Sequence, residues 1–378
     1  MDLLGKASVK FFFLISTLLC IVPYHYKFKM KVMRVYAFMV LALYTILFLY
    51  TIEMRIIDRN RVRLRFIEAA LELCLLMMRT ALILLMIIPR IFTNPHRYYR
   101  VFEYLRYQSW IEDSSIRKQI LFTQIVAFVT CIPQFIIHRY FFVNRDFSFM
   151  NYVGLYLNII IVLNMYLVIL GLHRRINEVN GKLQATLEYA NEFRSIKDGR
   201  AFRFVRAAGN FQAILRQFTE FCDVIDLSNT LFGWKLLLLV CIISLSLIFN
   251  INNVYNYYED KDKPIAYKWL YLSISLWNFC IYCLLGISLT YSCNRVYKAG
   301  HDVGKNCYKI LLRSPGTSHV IGGGDNPDGE LLLLIHLSTS RKPALYLAGT
   351  FLVDNSLLLR IFTSVIYYII VILQFKDS

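Results

Sequence analysis

Charge is scarce in this sequence. Asp, Glu, Lys and Arg make up only 18% of its 378 residues, against roughly a quarter in an ordinary soluble domain. Helix breakers are scarce as well, with 16 Gly and 8 Pro. No two His stand four apart, and no Ser, Cys or carboxylate pairs with a base at a spacing that suggests a nucleophile. Those absences exclude the familiar zinc-protease and hydrolase patterns, and the chain is expected to need no cofactor or metal and not to be an enzyme. No Asn-x-Ser/Thr sequon occurs either, so glycosylation marks no face of the molecule.

Apolar residues are plentiful instead. They form 57% of the chain, aromatics alone 15%, and the mean hydropathy is +0.48. A helix rises about 1.5 Å per residue and the hydrocarbon core is roughly 30 Å thick, so runs of about 20 apolar residues are the unit to count. Seven such runs are predicted, at 35–52, 67–88, 119–137, 151–171, 234–254, 266–291 and 356–375. The fold class expected is an all-α membrane protein with seven transmembrane helices. An earlier run at 11–22, with Phe11, Phe12 and Phe13, is too short to cross and reads as an interfacial helix.

The net charge of +17 suggests nucleic acid at first sight. The basic residues are spread over loops between apolar runs, so cytoplasmic retention of Lys and Arg is the better cause, and no nucleic-acid partner is expected. Most of the basic residues fall on the cytoplasmic side if the N-terminus is cytoplasmic and the C-terminus extracellular. Arg55, Arg59, Arg61, Arg63 and Arg65 oppose this assignment. The chain then divides into a cytoplasmic N-terminus (1–34), four spans (35–171), a cytoplasmic helical loop (172–233), two spans (234–291), a cytoplasmic anchor and linker (292–355), and a last span with an extracellular tail (356–378). The loop 172–233 keeps apolar residues at helical spacing, as in Ile176, Val179, Leu183 and Leu187. It reads as extensions of the fourth and fifth spans, or as amphipathic helices on the membrane surface. The stretch 319–330, with its three consecutive glycines, reads as a linker. None of the nine Cys falls in an outer loop, which argues against a disulfide framework.

Polar and aromatic side chains inside apolar runs are the candidate functional residues. Glu72 and Arg79 lie too far apart along the second run to pair with each other. They line a ligand pocket, or each meets a partner on another helix. Phe135, Tyr156 and Trp277 lie deeper than the other aromatics near the outer ends. They suit a pocket for a small organic ligand, or belong to an interfacial aromatic belt. On the last run, Thr363, Tyr367, Ile370 and Gln374 fall at i, i+4, i+7 and i+11 and share one face. A pore-lining helix would show this pattern, and so would a face packed on neighbours.

The last run ends Tyr368, five aliphatic residues, Gln374, Phe375. This resembles the C-terminal motif of insect gustatory receptors, a Thr-Tyr pair, five hydrophobic residues and Gln-Phe. His336, Pro343, Gly349, Phe351, Val353 and Asp354 also stand in an order similar to that family's approach to its last helix. Two departures are Tyr367 in place of the motif Thr, and Ile369 where sugar-receptor members tend to have Glu. The resemblance implies a ligand-gated, non-selective cation channel opened by a tastant, bitter or another non-sugar, which drives acceptance or avoidance. It implies a homo- or hetero-tetramer with related receptors in the plasma membrane of a gustatory neuron dendrite. Gln374 and Phe375 would form the gate, with Ile370 or Val371 below. A metabotropic seven-helix receptor acting through G proteins is the alternative.

Overall fold

In the computed structural model of the protein, the residues described are 7, 8, 10, 11, 14, 30–61, 66–92, 95–105, 113–141, 147–194, 201–259, 265–313 and 327–376. They are almost entirely helical. In chain order the helices are α1 (Met30–Arg61), α2 (Phe66–Phe92), α3 (Pro95–Tyr104), α4 (Ser114–Phe141), α5 (Phe147–Arg194), α6 (Ala201–Glu259), α7 (Ile265–Arg313), α8 (Pro327–Ser340) and α9 (Asn355–Lys376). A two-stranded hairpin, β1 (Tyr346–Leu347) and β2 (Phe351–Leu352), joins α8 to α9.

Five helices among the described residues are long and apolar enough to cross a bilayer, at Ala70–Pro89, Ser114–Gln134, Gly154–Glu188, Phe211–Tyr255 and Lys268–Leu312. Two shorter apolar stretches, Val35–Tyr50 in α1 and Asn355–Val371 in α9, stand where the first and last spans are predicted. Helices α5, α6 and α7 are much longer than a span. With 48 residues, α5 is about 72 Å long at about 1.5 Å per residue. One bundle thus has a distal half and an extended end, where α5, α6 and α7 continue past their apolar stretches.

One apolar core runs through both halves. In the extended end it contains Leu183, Phe218, Phe221, Val303 and Cys307, all fully buried. The amphipathic spacing in 172–233 therefore buries a face against protein. Helix α5 packs chiefly on α7, and α6 packs on α7 and α2, while α8 lies against α7 and α6. The sequence pattern suggested a linker at 319–330. Its last residues, from Pro327, already belong to α8, and 314–326 lie outside the described residues.

The chain does not run as one helix through the end of the predicted anchor and linker (292–355). Residues 341–353 leave the helix and turn back as the hairpin. Its turn takes positive φ at Ala348 (48°) and Gly349 (77°), a conformation that glycine adopts without steric cost and alanine does not. Asp354 then caps α9. Its Oδ1 accepts from the backbone N–H groups of Ser356 (3.0 Å) and Leu357 (3.1 Å).

Two of the described N-terminal residues, Ser8 and Phe11, contact α4. Ser8 Oγ donates to Gln124, and the Phe11 ring lies 6.1 Å from that of Phe128.

Candidate functional site: a distal polar cluster and an uncovered terminal helix

The distal half brings polar side chains of four helices to one level. On α2, Arg79 reaches across to α7, where its Nη2 donates to the Tyr282 hydroxyl at 3.1 Å. Gly154 of α5 gives the guanidinium room, since a Cβ there would stand 3.3 Å from Arg79 Nη1. Arg79 is thus tied to another helix, one of the two roles open to it from sequence. Glu72 lies on the same helix and is half-buried.

Helix α4 contributes Thr130, Gln134 and Phe128. The Trp277 indole N–H donates to Thr130 Oγ1 at 3.2 Å, and Gln134 Nε2 donates to Asn278 Oδ1 at 2.9 Å. The rings of Phe128 and Tyr156 lie 5.5 Å apart. Trp277 remains half exposed, so its ring edge is held by Thr130 while its face is uncovered. The side chain of Phe135 lies outside the described residues.

Three polar atoms of this cluster are buried without a hydrogen-bond partner among the described residues. They are the Tyr156 hydroxyl, Asn158 Nδ2 and Gln134 Oε1. An unpaired buried polar atom costs on the order of 1–3 kcal/mol. Donors and acceptors gathered beside aromatic faces are the chemistry that a small organic ligand or ordered water would satisfy. Tyr156 and Trp277 were candidates from the sequence, whereas Thr130, Gln134 and Tyr282 were not. Polar residues within apolar runs were a signal for Thr130 and Gln134. No local pattern tells Tyr282 from the other tyrosines.

The second element is α9. Ile361 and Val365 are buried against the bundle, where the helix packs on α6 and α7. The opposite face is uncovered. Thr363, Tyr367, Ile370 and Gln374 all lie on it, and Tyr367 is 68% exposed. Val371 flanks this stripe and is half-buried. Phe375 continues the helix, with its side chain outside the described residues.

The extended end anchors α9. Asn229 of α6 spans the chain just before the hairpin, donating from Nδ2 to the Ala344 carbonyl (2.9 Å) and accepting the Tyr346 N–H at Oδ1 (3.0 Å). Gly233, one turn on, lets this backbone close in, because a Cβ there would meet the Tyr346 carbonyl oxygen at 3.1 Å. The adjacent Lys235 is buried, and its Nζ donates to the Tyr98 hydroxyl at 2.8 Å. Arg175 donates twice to the Tyr104 carbonyl (3.0 and 2.7 Å), fixing α3 to α5. Asp113 caps α4 and accepts from Arg174 at 2.7 Å. Burial raises the Asp113 pKa, but these hydrogen bonds outweigh it and hold the carboxyl below its usual range. Cys222 and Cys307 are buried in the apolar core and act as packing groups. Among the described residues no group of three His, Cys, Asp or Glu could hold a metal ion.

These features define a nearly all-helical, multi-pass membrane protein with a buried polar cluster in one half and a helical anchor in the other. A family model described as a 7tm chemosensory receptor matches residues 9–378, and the chain belongs to that family. Among solved structures it is similar to the insect olfactory receptor OR5 from Machilis hrabei in complex with eugenol. The TM-score is 0.61 and the identity 13%, over 98% of this chain and 99% of that one. At this identity the likeness is one of fold. No curated protein matches the chain.

Proposed function

We propose that the protein is a gustatory chemoreceptor, a ligand-gated, non-selective cation channel in the plasma membrane. Seven spans, a cytoplasmic N-terminus and an extracellular C-terminus complete this reading. Four subunits, alike or mixed with related receptors, place their α9 helices around one pore. The observation that carries the proposal is the uncovered stripe of α9, where Thr363, Tyr367, Ile370 and Gln374 point away from the packed face. A lone chain leaves the Thr363 and Tyr367 side chains of a membrane helix exposed on that side. Copies of the chain around water would remove that cost.

Gln374 and Phe375 form the narrow gate, with Ile370 or Val371 beneath it. Apolar side chains at a constriction dewet it and stop ions, and amides help hydrated cations through once it widens. The tastant binds in the distal cluster beside Glu72, Phe135, Tyr156 and Trp277. It favours the open state only as far as it binds that state more tightly. The terminal motif, with Ile369 after Tyr368, supports a bitter or other non-sugar tastant.

The test is agonist-evoked current in cells without G-protein signalling, with Gln374→Ala expected to reduce it or change its ion preference. A response present only with active G proteins, or an N-terminal tag accessible on intact cells, would instead support a metabotropic receptor and defeat the channel reading.

A further inference from the structure

A polar groove of about 580 Å³ runs between the extended parts of α5 and α7. One wall carries Arg295, Lys298, Lys305 and Lys309 of α7, and amides such as Asn177 and Gln184 of α5 line the other. The cations recur at i, i+3, i+10 and i+14, which sets them on one face over about 21 Å at about 1.5 Å per residue. The single carboxylate in the lining, Asp302, stands 3.5 Å from Lys305. Arg295, Lys298 and Lys309 have no carboxylate partner among the described residues.

The groove has a fixed floor. Asn180 Nδ2 donates to the Ala299 carbonyl at 2.8 Å, and Asn306 Nδ2 donates to Asn180 Oδ1 at 3.3 Å. All three residues are buried. His173 closes the end nearest the apolar spans. Its ring nitrogen Nδ1 lies 3.3 Å from Asn177 Nδ2.

We propose that this groove binds a polyphosphorylated polyol of the inositol phosphate type, as a lipid headgroup or in free form. Three features select that chemistry. Cations in excess over carboxylate favour a multiply charged anion, and side-chain amides add neutral donors for phosphate or hydroxyl oxygens. The lining has no Phe, Tyr or Trp, and its one aromatic ring, the imidazole of His173, stands at the end of the groove, which disfavours nucleotides and nucleic acid. The groove also begins just past the predicted spans 151–171 and 266–291, and basic pockets at the cytoplasmic edge of a helix bundle hold phosphoinositide headgroups. Its volume falls within the range of about 300–1,000 Å³ usual for small-ligand sites. The proposal rests on the reading that the extended end faces the cytosol.

The experiment uses the purified full chain in detergent, titrated with dioctanoyl phosphatidylinositol bisphosphate and separately with inositol trisphosphate. Dioctanoyl phosphatidylcholine is the control lipid. Saturable binding of either phosphorylated probe is expected. In the Lys298→Gln/Lys309→Gln variant it should weaken by about tenfold for each lysine removed. Lys182→Gln, an exposed change on α5 outside the groove, should bind as the wild type does. Binding of the lipid alone assigns the membrane as source, and binding of the soluble phosphate alone assigns the cytosol. No saturable binding of either probe, or unchanged affinity in the double variant, overturns the proposal. Both lysines are exposed, so the variant should keep the elution profile of the wild type. The readout is binding without agonist or current, so its failure leaves the channel reading intact, and a chain without conductance can still pass.

Discussion

Replacing Gly300 with alanine should damage the junction between anchor and last helix by a calculable amount. An ideal Cβ at Gly300 would lie 2.3 Å from Pro343 Cγ, 3.3 Å from its Cδ and 3.4 Å from its Cβ. Non-bonded carbons rest at about 3.5–4.0 Å, so the ring has to retreat by more than about 1 Å. It has little freedom to do so. The proline is buried, and the Ala344 carbonyl beside it is held by Asn229 at 2.9 Å. Overpacking of this kind costs about 1–3 kcal/mol. Alanine also favours the helix over glycine by about 1 kcal/mol, which hides part of that cost. Gly181→Ala removes the ambiguity, because nothing lies within 4 Å of a Cβ there and only the propensity gain remains. Gly286→Ala is a second control, with its nearest atom at 3.6 Å. Thermal unfolding of the detergent-solubilised chain at one heating rate should rank Gly181→Ala and Gly286→Ala at or above the wild type. Gly300→Ala should fall about 1–3 kcal/mol below Gly181→Ala. Adding Pro343→Ala removes Cγ and Cδ and should recover much of the loss. Equal midpoints for Gly300→Ala and Gly181→Ala, or no rescue, would refute the close approach of α7 to this chain segment.

Three further outcomes are expected. Asp354→Ala should remove the cap of α9 and cost about 1 kcal/mol in thermal stability. Burial raises the Asp354 pKa, but its hydrogen bonds to Ser356 and Leu357 outweigh that and lower it below 3.8, so its contribution is present above that value and fades as acid titrates the folded carboxyl. Asp354→Asn should cap the helix without this acid sensitivity, and a wild-type pH profile in the Asn variant would be the contrary result. Ala348→Gly should stabilise the chain by about 1 kcal/mol, since the residue holds φ at 48°; a lower unfolding midpoint would show that the turn is not strained. Trp277→Phe removes the indole donor to Thr130 while keeping an aromatic ring, and should shift the agonist dose-response curve more than the maximal current. Thr130→Val in that background should then add little, and additive shifts would deny that the two residues act together.

The parts of this fold that the sequence revealed are those fixed by solvent. A bilayer demands long apolar helices, so five of the seven predicted runs fall on helices long and apolar enough to cross, and the other two on shorter apolar stretches. A helix with one uncovered side shows it in the spacing of Thr363, Tyr367, Ile370 and Gln374. What stayed hidden depends on partners far away in the chain. The stretch 344–353 is apolar and reads equally well as helix or strand. It becomes a hairpin because α6 supplies Asn229 for its backbone groups and Gly233 for its approach, more than a hundred residues earlier. Arg79 and Tyr282 are separated by 203 positions, and nothing near either one names the other. The basic residues of α7 carry the same lesson. Along the chain they are only part of a charge asymmetry, and a solvated basic face accounts for them. Once α5 lies alongside, with Asn180 clamped to Ala299, those charges face amides across a groove of set width, and a topological signal becomes a site with a definite chemistry.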